Sequence, residues 1–243
     1  MDHGLSMRFE TLAVHAGGER DETGAIAPPL HLSTNYEHNP DGEPPREFLY
    51  IRIDNPMQHR LESALAALES GETSLVFASG VAAGAAYLQS LEPGSHVLFC
   101  DDLFYGFRDL IPDFLPRWNI DWSYVDMTDL DAVRAEFRPN TRAVWAESPT
   151  NPLMRIYDLA NLAELAHEKG AELLVDSTFS TPALLKPLSF GADVTLHSTT
   201  KYIGGHSDVQ GGALVFLRQN EQVSRIRQVR KLLGSVYGHA EMV

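Results

Sequence analysis

From residue 56 onward the sequence alternates short apolar runs with longer segments of helical periodicity, and this alternation constrains the fold more than any other feature. The apolar runs predict strands at 74–78, 96–100, 121–125, 142–146, 172–175, 194–197 and 212–217. The intervening segments predict helices at 58–70, 80–91, 105–118, 129–137, 158–169, 182–190 and 221–233. Strands that alternate with helices in this way run mostly parallel, with helices on both faces of the sheet. The sequence therefore predicts a three-layer α/β/α fold with a mostly parallel sheet.

The first 55 residues lack this alternation. Prolines cluster in them, and the stretch at 39–42, Asn-Pro-Asp-Gly, is typical of a turn. The segment nevertheless carries large apolar side chains that are costly to leave in water, namely Leu30, Leu32, Tyr36, Phe48 and Tyr50. We therefore predict an extended N-terminal arm over residues 1–55 that packs on another surface, such as a neighbouring subunit. The large domain would occupy residues 56–243.

Composition excludes some classes of function. The formal net charge of −14 argues against a nucleic-acid partner, because binding to phosphates needs a basic surface. No apolar stretch approaches the length of a membrane span, and the N-terminus has no apolar signal segment. The single cysteine, Cys100, ends an apolar run and is expected to be a packed strand residue. We predict a cytoplasmic protein without disulfides, with no membrane or nucleic-acid partner and no metal site.

A polar stretch with a lysine follows the predicted strand at 194–197. In it, Ser198 and Thr200 precede Lys201, and a glycine pair follows. A lysine just beyond a strand end can form a Schiff base with a carbonyl compound, and the two hydroxyl groups could bind a phosphate beside it. A small molecule with both an aldehyde and a phosphate is pyridoxal phosphate. Taken alone, the stretch is explained more simply by a solvated lysine in a polar loop.

Other polar residues are expected at the carboxyl ends of the strands, which is where ligands bind in sheets of this kind. Ser79, Gly80 and Val81 begin a predicted helix, and free N–H groups at a helix start suit a phosphate. Asp176 could pair with a protonated pyridinium nitrogen, which makes the ring an electron sink. Each feature also has a structural explanation, because Ser79 and Asp176 could simply cap helices.

Four further residues complete the candidate site. Tyr105 could stack on a flat ring, and Asn151, in a loop held by two prolines, could bond to a ring hydroxyl. Tyr50 and Arg52 in the arm offer a hydroxyl and a guanidinium group for a phosphate. A packed aromatic ring, a rigid turn and the surface of a linker explain the same residues when each is taken singly. Their joint occurrence in one chain favours a cofactor site.

Two motifs resemble signatures of a known family. The stretch at 23–29, Thr-Gly-Ala-Ile-Ala-Pro-Pro, resembles the family's N-terminal signature. The stretch at 198–208, which holds Ser198-x-Thr200-Lys201 and ends in Gly-His-Ser-Asp, resembles its lysine signature. The family is that of the pyridoxal-phosphate enzymes of cysteine and methionine metabolism, the cystathionine γ-synthase and γ-lyase group. The resemblance extends from about Thr11 to Leu233 and implies the large domain of fold type I.

The resemblance implies a role for each candidate residue. Lys201 would be the Schiff-base lysine and the proton carrier, Asp176 would bind the pyridinium nitrogen, and Tyr105 would stack on the ring. The other contacts to the ring hydroxyl and the phosphate would come from Asn151, Ser79, Gly80, Val81, Ser198 and Thr200. Tyr50 and Arg52 would reach the phosphate of a neighbouring subunit, which implies a homodimer or homotetramer with shared sites. The catalytic residues would be Lys201, Tyr105 and Tyr50.

The resemblance further implies an amino-acid substrate and a transsulfuration reaction. γ-Replacement on an O-acylhomoserine, as in cystathionine γ-synthase, is the expected reaction. The alternatives are a γ- or β-eliminating C–S lyase and a catalytically inactive fragment that binds the cofactor. Leu49 stands where family members that handle cystathionine often have an acidic residue, which mildly favours substrates without a distal amine.

The family's C-terminal small domain, which supplies the arginine that binds the substrate carboxylate, would begin where this sequence ends. We therefore expect a fragment that lacks this domain, with a reduced form of the enzyme as the alternative. Three arginines near the end, Arg225, Arg227 and Arg230, lie on the predicted helix at 221–233. They are expected to form a solvated face of that helix rather than a substitute for the missing arginine.

Overall fold

One seven-stranded sheet forms the centre of the protein in the computed structural model, which describes residues 7–18 and 23–238. Its strands are β1 (Thr73–Phe77), β2 (His96–Cys100), β3 (Asp121–Val125), β4 (Thr141–Glu147), β5 (Glu172–Asp176), β6 (Val194–His197) and β7 (Gly212–Phe216). They lie in the order β1-β7-β6-β5-β4-β2-β3. β7 runs antiparallel to β1 and β6, and the other neighbouring pairs are parallel. Each predicted strand is found with its ends within one residue, so the predicted mostly parallel sheet is confirmed.

Helices cover the sheet, and most begin at a capping side chain. They are α1 (Phe9–His15), α2 (Pro56–Glu69), α3 (Gly80–Ser90), α4 (Tyr105–Phe114), α5 (Leu130–Glu136), α6 (Leu159–Glu168), α7 (Thr181–Leu184) and α8 (Glu221–Leu233), with short 3₁₀ helices at Leu115–Trp118 and Pro187–Phe190. The caps of α2, α3, α5, α6 and α8 are the side chains of Asn55, Ser79, Asp129, Asp158 and Asn220. Each accepts hydrogen bonds from N–H groups that a helix start leaves unpaired. Within the described ranges, none of these helices combines the length and the apolar character that a membrane span requires.

Three predicted helices differ from those in the structure. The helix predicted over 58–70 runs from Pro56 to Glu69, because Ser70 adopts the left-handed conformation with φ 63° and closes it. The helix predicted over 105–118 ends at Phe114 and is followed by the 3₁₀ helix at Leu115–Trp118. The helix predicted over 182–190 is two short helices, because Pro187 disfavours a helical conformation at the preceding residue, and Lys186 is extended with φ −116° and ψ 90°.

The N-terminal arm contains one helix that the sequence did not predict, α1, which packs on α2. Beyond it the described part of the arm is mostly extended, and Arg60 Nη1 donates a hydrogen bond to the Pro29 carbonyl at 2.7 Å. The apolar side chains Leu30 and Leu32 remain exposed, at 57% and 68%. The division into an arm over 1–55 and a large domain over 56–243, and the contact of the arm with another subunit, stay predictions.

One arginine lies where the sequence did not suggest. Arg230, expected on a solvated helix face, is only 1% exposed, because it continues the buried face of α8 that includes Val223 and Ile226. Its Nη1 group donates hydrogen bonds to the Glu62 carboxylate and to the Val76 carbonyl, so the charge is paired inside the protein. It therefore ties α8 to α2 and β1.

Candidate active site

A cavity of about 200 Å³ lies at the carboxyl ends of β4, β5 and β6, beside the start of α3. Strand ends in a parallel sheet point to one edge, so residues from distant parts of the sequence meet there. The predicted residues that line the cavity are Ser79, Gly80, Val81, Asn151, Asp176, Ser198, Thr200 and Lys201. The structure therefore brings together most of the site that the sequence suggested.

Two turns rich in hydroxyl groups form one end of the cavity. One holds Ser79 and precedes α3; the other, the lysine loop, covers residues 198–208 after β6. Ser79 caps α3, with its Oγ accepting a hydrogen bond from the Ala82 N–H at 3.1 Å. Thr200 is held by Gly211, because its Oγ1 donates to the Gly211 carbonyl at 3.1 Å and accepts from the Gly211 N–H at 2.9 Å. Hydroxyl groups and the unpaired N–H groups of a helix start are together suited to a phosphate.

Glycines allow these two turns to approach each other closely. A Cβ at Gly80 would lie 2.8 Å from Ser198 Cβ, and a Cβ at Gly212 would lie 2.2 Å from the Ser79 carbonyl oxygen. Both distances are shorter than non-bonded carbon and oxygen atoms tolerate. The start of α3 can therefore lie this close to the lysine loop and to β7 only because Gly80 and Gly212 carry no side chain.

Asp176 ends β5 and is 5% exposed. Its Oδ1 accepts hydrogen bonds from the Thr178 N–H at 3.0 Å and from the Thr178 hydroxyl at 2.6 Å. Burial raises the pKa of Asp176, while Thr178 and then the charge of His197 act in the opposite direction. A cation placed against this carboxylate would offset the cost of its burial, which suits a protonated ring nitrogen.

Lys201 lies in the turn that follows β6, and its backbone is fixed at both ends. Its N–H donates to the Ser198 carbonyl at 3.1 Å, and its own carbonyl accepts from the Gly205 N–H at 2.8 Å. The side chain lines the cavity. Among residues 7–18 and 23–238 the ammonium group has neither an ion pair nor a hydrogen bond. It therefore has no competing partner in this part of the chain.

Three predicted residues do not line the cavity. Tyr105 begins α4, but its side chain is 71% exposed, and the cavity wall is instead formed by its neighbours Phe104 and Phe107. Arg52 lies away from the cavity, where its guanidinium group stacks 5.4 Å from the Tyr50 ring centroid and donates to the Lys231 carbonyl at 2.8 Å. The roles of these three residues stay predictions.

The sequence did not predict a role in the site for Thr178, for Glu147 or for the three phenylalanines of the cavity wall. Thr178 links Asp176 to the lysine loop, because its Oγ1 also accepts a hydrogen bond from the Ser198 N–H at 2.8 Å. Glu147 ends β4 and lines the cavity, and burial together with the charge of Asp176 raises the pKa of Glu147 to about 8. A signal for Thr178 and Glu147 was present, since each polar side chain stands at or just beyond the end of an apolar strand.

These residues fit pyridoxal phosphate. The aldehyde would meet the unpaired amine of Lys201, and the phosphate would meet the hydroxyl groups and N–H groups at the start of α3 and in the lysine loop. The buried Asp176 carboxylate matches a pyridinium nitrogen, and the Asn151 amide can bond to a ring hydroxyl. The aromatic wall of Phe104, Phe107 and Phe179 suits a flat ring.

Comparison with known proteins decides the family. The family model described as "Cys/Met metabolism PLP-dependent enzyme" matches residues 10–242. The chain belongs to this family. The resemblance identified in the sequence is thereby confirmed, and so are its fold type and pyridoxal phosphate as the family's cofactor.

Relatives in the Cys/Met metabolism family carry several names. The chain is 46% identical over 215 residues to "Cystathionine gamma-synthase" of Mycobacterium leprae, an alignment that covers 88% of this chain and 55% of the relative. It is 38% identical over 231 residues to "Cystathionine beta-lyase" of Lactococcus lactis subsp. cremoris (strain MG1363), with coverage of 95% and 60%. The chain thus spans little more than half the length of these relatives.

Solved structures of the family superpose closely on the chain. The crystal structure of metB from Corynebacterium glutamicum matches with a TM-score of 0.93 and 36% identity, covering 98% of this chain and 62% of that one. The structure of apo CalE6, a methionine gamma lyase from Micromonospora echinospora, matches with a TM-score of 0.90 and 41% identity, covering 97% and 64%. The shared fold is therefore common to members that bear different reaction names.

Proposed function

We propose that this protein carries out pyridoxal-phosphate-dependent transsulfuration, with γ-replacement on an O-acylated homoserine as its reaction. The observation that carries the proposal is the meeting of Lys201, Asp176 and the two hydroxyl-rich turns in one cavity. Relatives named cystathionine γ-synthase, 46% and 47% identical to this chain, support the choice of reaction. Amino acids with a leaving group on the γ-carbon are the proposed substrates.

The chain's own residues would divide the work. The bound cofactor supplies an electron sink for the charge left when a carbon of the substrate loses a proton. The amine of Lys201 would take that proton and return it at a neighbouring carbon. The buried carboxylate of Asp176 would hold the ring nitrogen in its protonated form, and Thr178 would keep the carboxylate oriented. The aromatic wall would exclude water from the ring.

Covalent labelling tests the cofactor and the lysine together. We would incubate the purified protein with pyridoxal phosphate, reduce it with borohydride, digest it and find the labelled peptide by mass spectrometry. The label is expected on Lys201, and Lys201→Ala is expected to lose both the label and the visible absorbance of the bound cofactor. A label on a different amine, or an unlabelled protein, would contradict the proposal.

A second candidate, a γ- or β-eliminating C–S lyase, is favoured by the relatives named cystathionine β-lyase. The two reactions give different products. With O-succinylhomoserine and cysteine, replacement yields cystathionine, and γ-elimination yields 2-oxobutyrate. With cystathionine alone, β-elimination yields pyruvate. A cofactor band without any of these products would support a third reading, a fragment that binds the cofactor without turnover.

We also propose that sites are shared within a homodimer or homotetramer, with Tyr50 and Arg52 reaching a neighbouring subunit's phosphate. Neither residue lines the chain's own cavity, and apolar side chains of the arm are exposed; both observations support this assembly. Mixing Arg52→Ala subunits with Lys201→Ala subunits tests it. Mixed dimers would regain one intact site, so cofactor absorbance should exceed the sum of the two separate variants; a purely additive signal would count against sharing.

The proposed location is the cytoplasm. The single cysteine, Cys100, is buried at the end of β2, and burial raises the pKa of its thiol, so it is a packing residue that needs no oxidising environment. Fractionation of cells that express the protein tests this location, and recovery outside the cytoplasm would contradict it.

A further inference from the structure

Glu147 occupies a central position in the cavity for which the proposed reaction gives no role. It is the last residue of β4, and its Cα pairs in register with that of Asp176, the last residue of β5. The side chain lines the cavity, and the residue is 6% exposed. Two acidic side chains therefore stand side by side at neighbouring strand ends.

The two oxygens of the Glu147 carboxylate bind two separate segments. Oε2 accepts a hydrogen bond from the Phe104 N–H at 2.7 Å, and Oε1 accepts one from the Asn151 N–H at 2.9 Å. Phe104 forms part of the aromatic wall and directly precedes α4, whereas Asn151 belongs to the loop after β4. A single side chain thus joins two walls of the cavity.

The contact with Phe104 resembles one half of a capping box at the start of α4. Phe104 is the N-cap residue of α4, and its apolar side chain cannot cap the helix. In a capping box, an acidic residue at the third helical position accepts a hydrogen bond from the N–H of the N-cap residue. In α4 that position is Phe107, which is apolar and lines the cavity. Glu147 supplies the missing acceptor from another strand.

We propose that Glu147 is a positioning residue, which holds the start of α4 and the Asn151 loop in fixed places relative to Asp176. The proposal rests on the proposed function only for the ligand that the cavity takes. Through Phe104 and Asn151, Glu147 would set where the flat ring of the cofactor lies above the strand ends. It would not itself take part in the chemistry.

A carboxylate is required here because both bound groups are N–H donors. A carboxylate offers an acceptor oxygen to each, whereas the amide of glutamine would turn its NH₂ group toward one of them. The position is otherwise unfavourable for an acid. Burial first, and then the charge of Asp176, raise the pKa of Glu147 to about 8, against the effect of the two hydrogen bonds. Above that pKa the side chain is a carboxylate, with one acceptor oxygen for each of the two N–H groups.

Hydrogen exchange tests the positioning role without the cofactor. In Glu147→Gln, we expect the backbone amide of Phe104 or of Asn151, whichever then faces the NH₂ group, to exchange at least about tenfold faster than in the wild type, because its acceptor oxygen is lost. Glu172→Gln is the matched control, since Glu172 is a partly buried carboxylate at the opposite end of β5 that also has a raised pKa. Unchanged exchange at both amides in Glu147→Gln would overturn the proposal.

Cofactor binding supplies the second measurement. Glu147→Gln should keep the covalent link to Lys201, bind pyridoxal phosphate about tenfold more weakly and show a reduced visible circular dichroism band, because the ring is held less firmly. Glu172→Gln should leave the band and the affinity unchanged. If Glu172→Gln weakens the band as much as Glu147→Gln, the effect is one of general stability and the proposal fails.

Failure of the wild type to bind the cofactor would overturn the proposed function instead, while hydrogen exchange would still decide the role of Glu147.

Discussion

At the scale of single residues, the candidate site depends on two acids that the fold places at neighbouring strand ends. Asp176 is held by the backbone and the hydroxyl of Thr178, and Glu147 by two backbone amides. Both acids have raised pKa values for which burial is the largest cause. Their surroundings differ, because the Glu147 carboxylate accepts hydrogen bonds from two segments of the chain, whereas the Asp176 carboxylate accepts them from Thr178 alone among the described residues. Asp176 is therefore the one suited to a cationic ring nitrogen.

Replacing Asp176 should separate cofactor binding from chemistry. Asp176→Ala is expected to remain coloured, since the link to Lys201 is intact, while exchange of the substrate α-proton slows by at least about a hundredfold, because the ring nitrogen is no longer kept protonated. Loss of this proton in D₂O, followed by NMR, measures the rate. Asp121→Asn, an exposed acid at the start of β3, is the control. Exchange at the wild-type rate in Asp176→Ala would contradict the role of Asp176 as the partner of the ring nitrogen.

The raised pKa of Glu147 predicts how stability depends on pH. Between about 4.5 and about 8 the folded protein binds a proton that the unfolded chain releases, so the free energy of unfolding should fall as pH rises through this range. One such group contributes a slope of at most about 1.4 kcal/mol per pH unit. Urea denaturation of the cofactor-free protein at pH 5.5 and pH 7.5 measures it. The slope should decrease in Glu147→Gln, and an unaltered slope would contradict the assignment.

At the scale of elements, the sequence predicted what depends on local patterns and missed what depends on distant contacts. Apolar runs located the strands, and segments of helical periodicity located most of the helices. The hydrogen bond from Phe104 to Glu147 joins residues 43 apart, and the pairing of Arg230 with Glu62 joins residues 168 apart. The spacing of apolar residues gives no information about such distant pairs. The sequence therefore did not identify Glu147 as a site residue, and it wrongly indicated a solvated helix face for Arg230.

The end of α2 is tied to the end of β6 by another distant contact. Glu69 Oε1 and His197 Nε2 form a hydrogen-bonded pair in which both side chains are fully buried, directly before Ser198 of the lysine loop. Removing one partner of a buried pair typically costs about 3–5 kcal/mol, because the other polar group is left without a partner. Glu69→Ala should therefore lower the free energy of unfolding by about that amount.

Urea denaturation measures this loss of stability, with Glu92→Ala as the control. Glu92 forms an exposed ion pair with Arg225, and such pairs contribute about 1 kcal/mol or less. A similar small effect in both variants would show that the pair of Glu69 and His197 does not hold the lysine loop to α2.

At the scale of the whole molecule, exposed apolar side chains are the places where the proposed assembly can be tested. Leu30 and Leu32 project from the arm, and a separate group that includes Leu184 and Tyr202 surrounds a second depression beside the site. Concentrations of apolar surface on this scale commonly mark interaction sites. The chain also covers only 55% to 60% of the curated relatives described above.

The arm provides a test of assembly. Leu30→Ser with Leu32→Ser should scarcely alter the stability of a single chain, since both residues are exposed in it, but it should weaken self-association at least about tenfold if the arm packs on a neighbouring subunit. Sedimentation equilibrium measures the association constant. Leu232→Ser, 67% exposed on α8, is the matched control. Equal association of all three proteins would refute the prediction for the arm.

Gly212 has a consequence for the tolerance of this fold to mutation. Its hydrogen atom faces the Ser79 carbonyl oxygen at a place where a methyl carbon would be only 2.2 Å away. Even alanine would force β7 and the turn before α3 apart, and so move Ser79 and Gly80 of the cavity wall. In a saturation screen of this chain, we expect Gly212 to reject every other amino acid, although it has no chemical group of its own to offer.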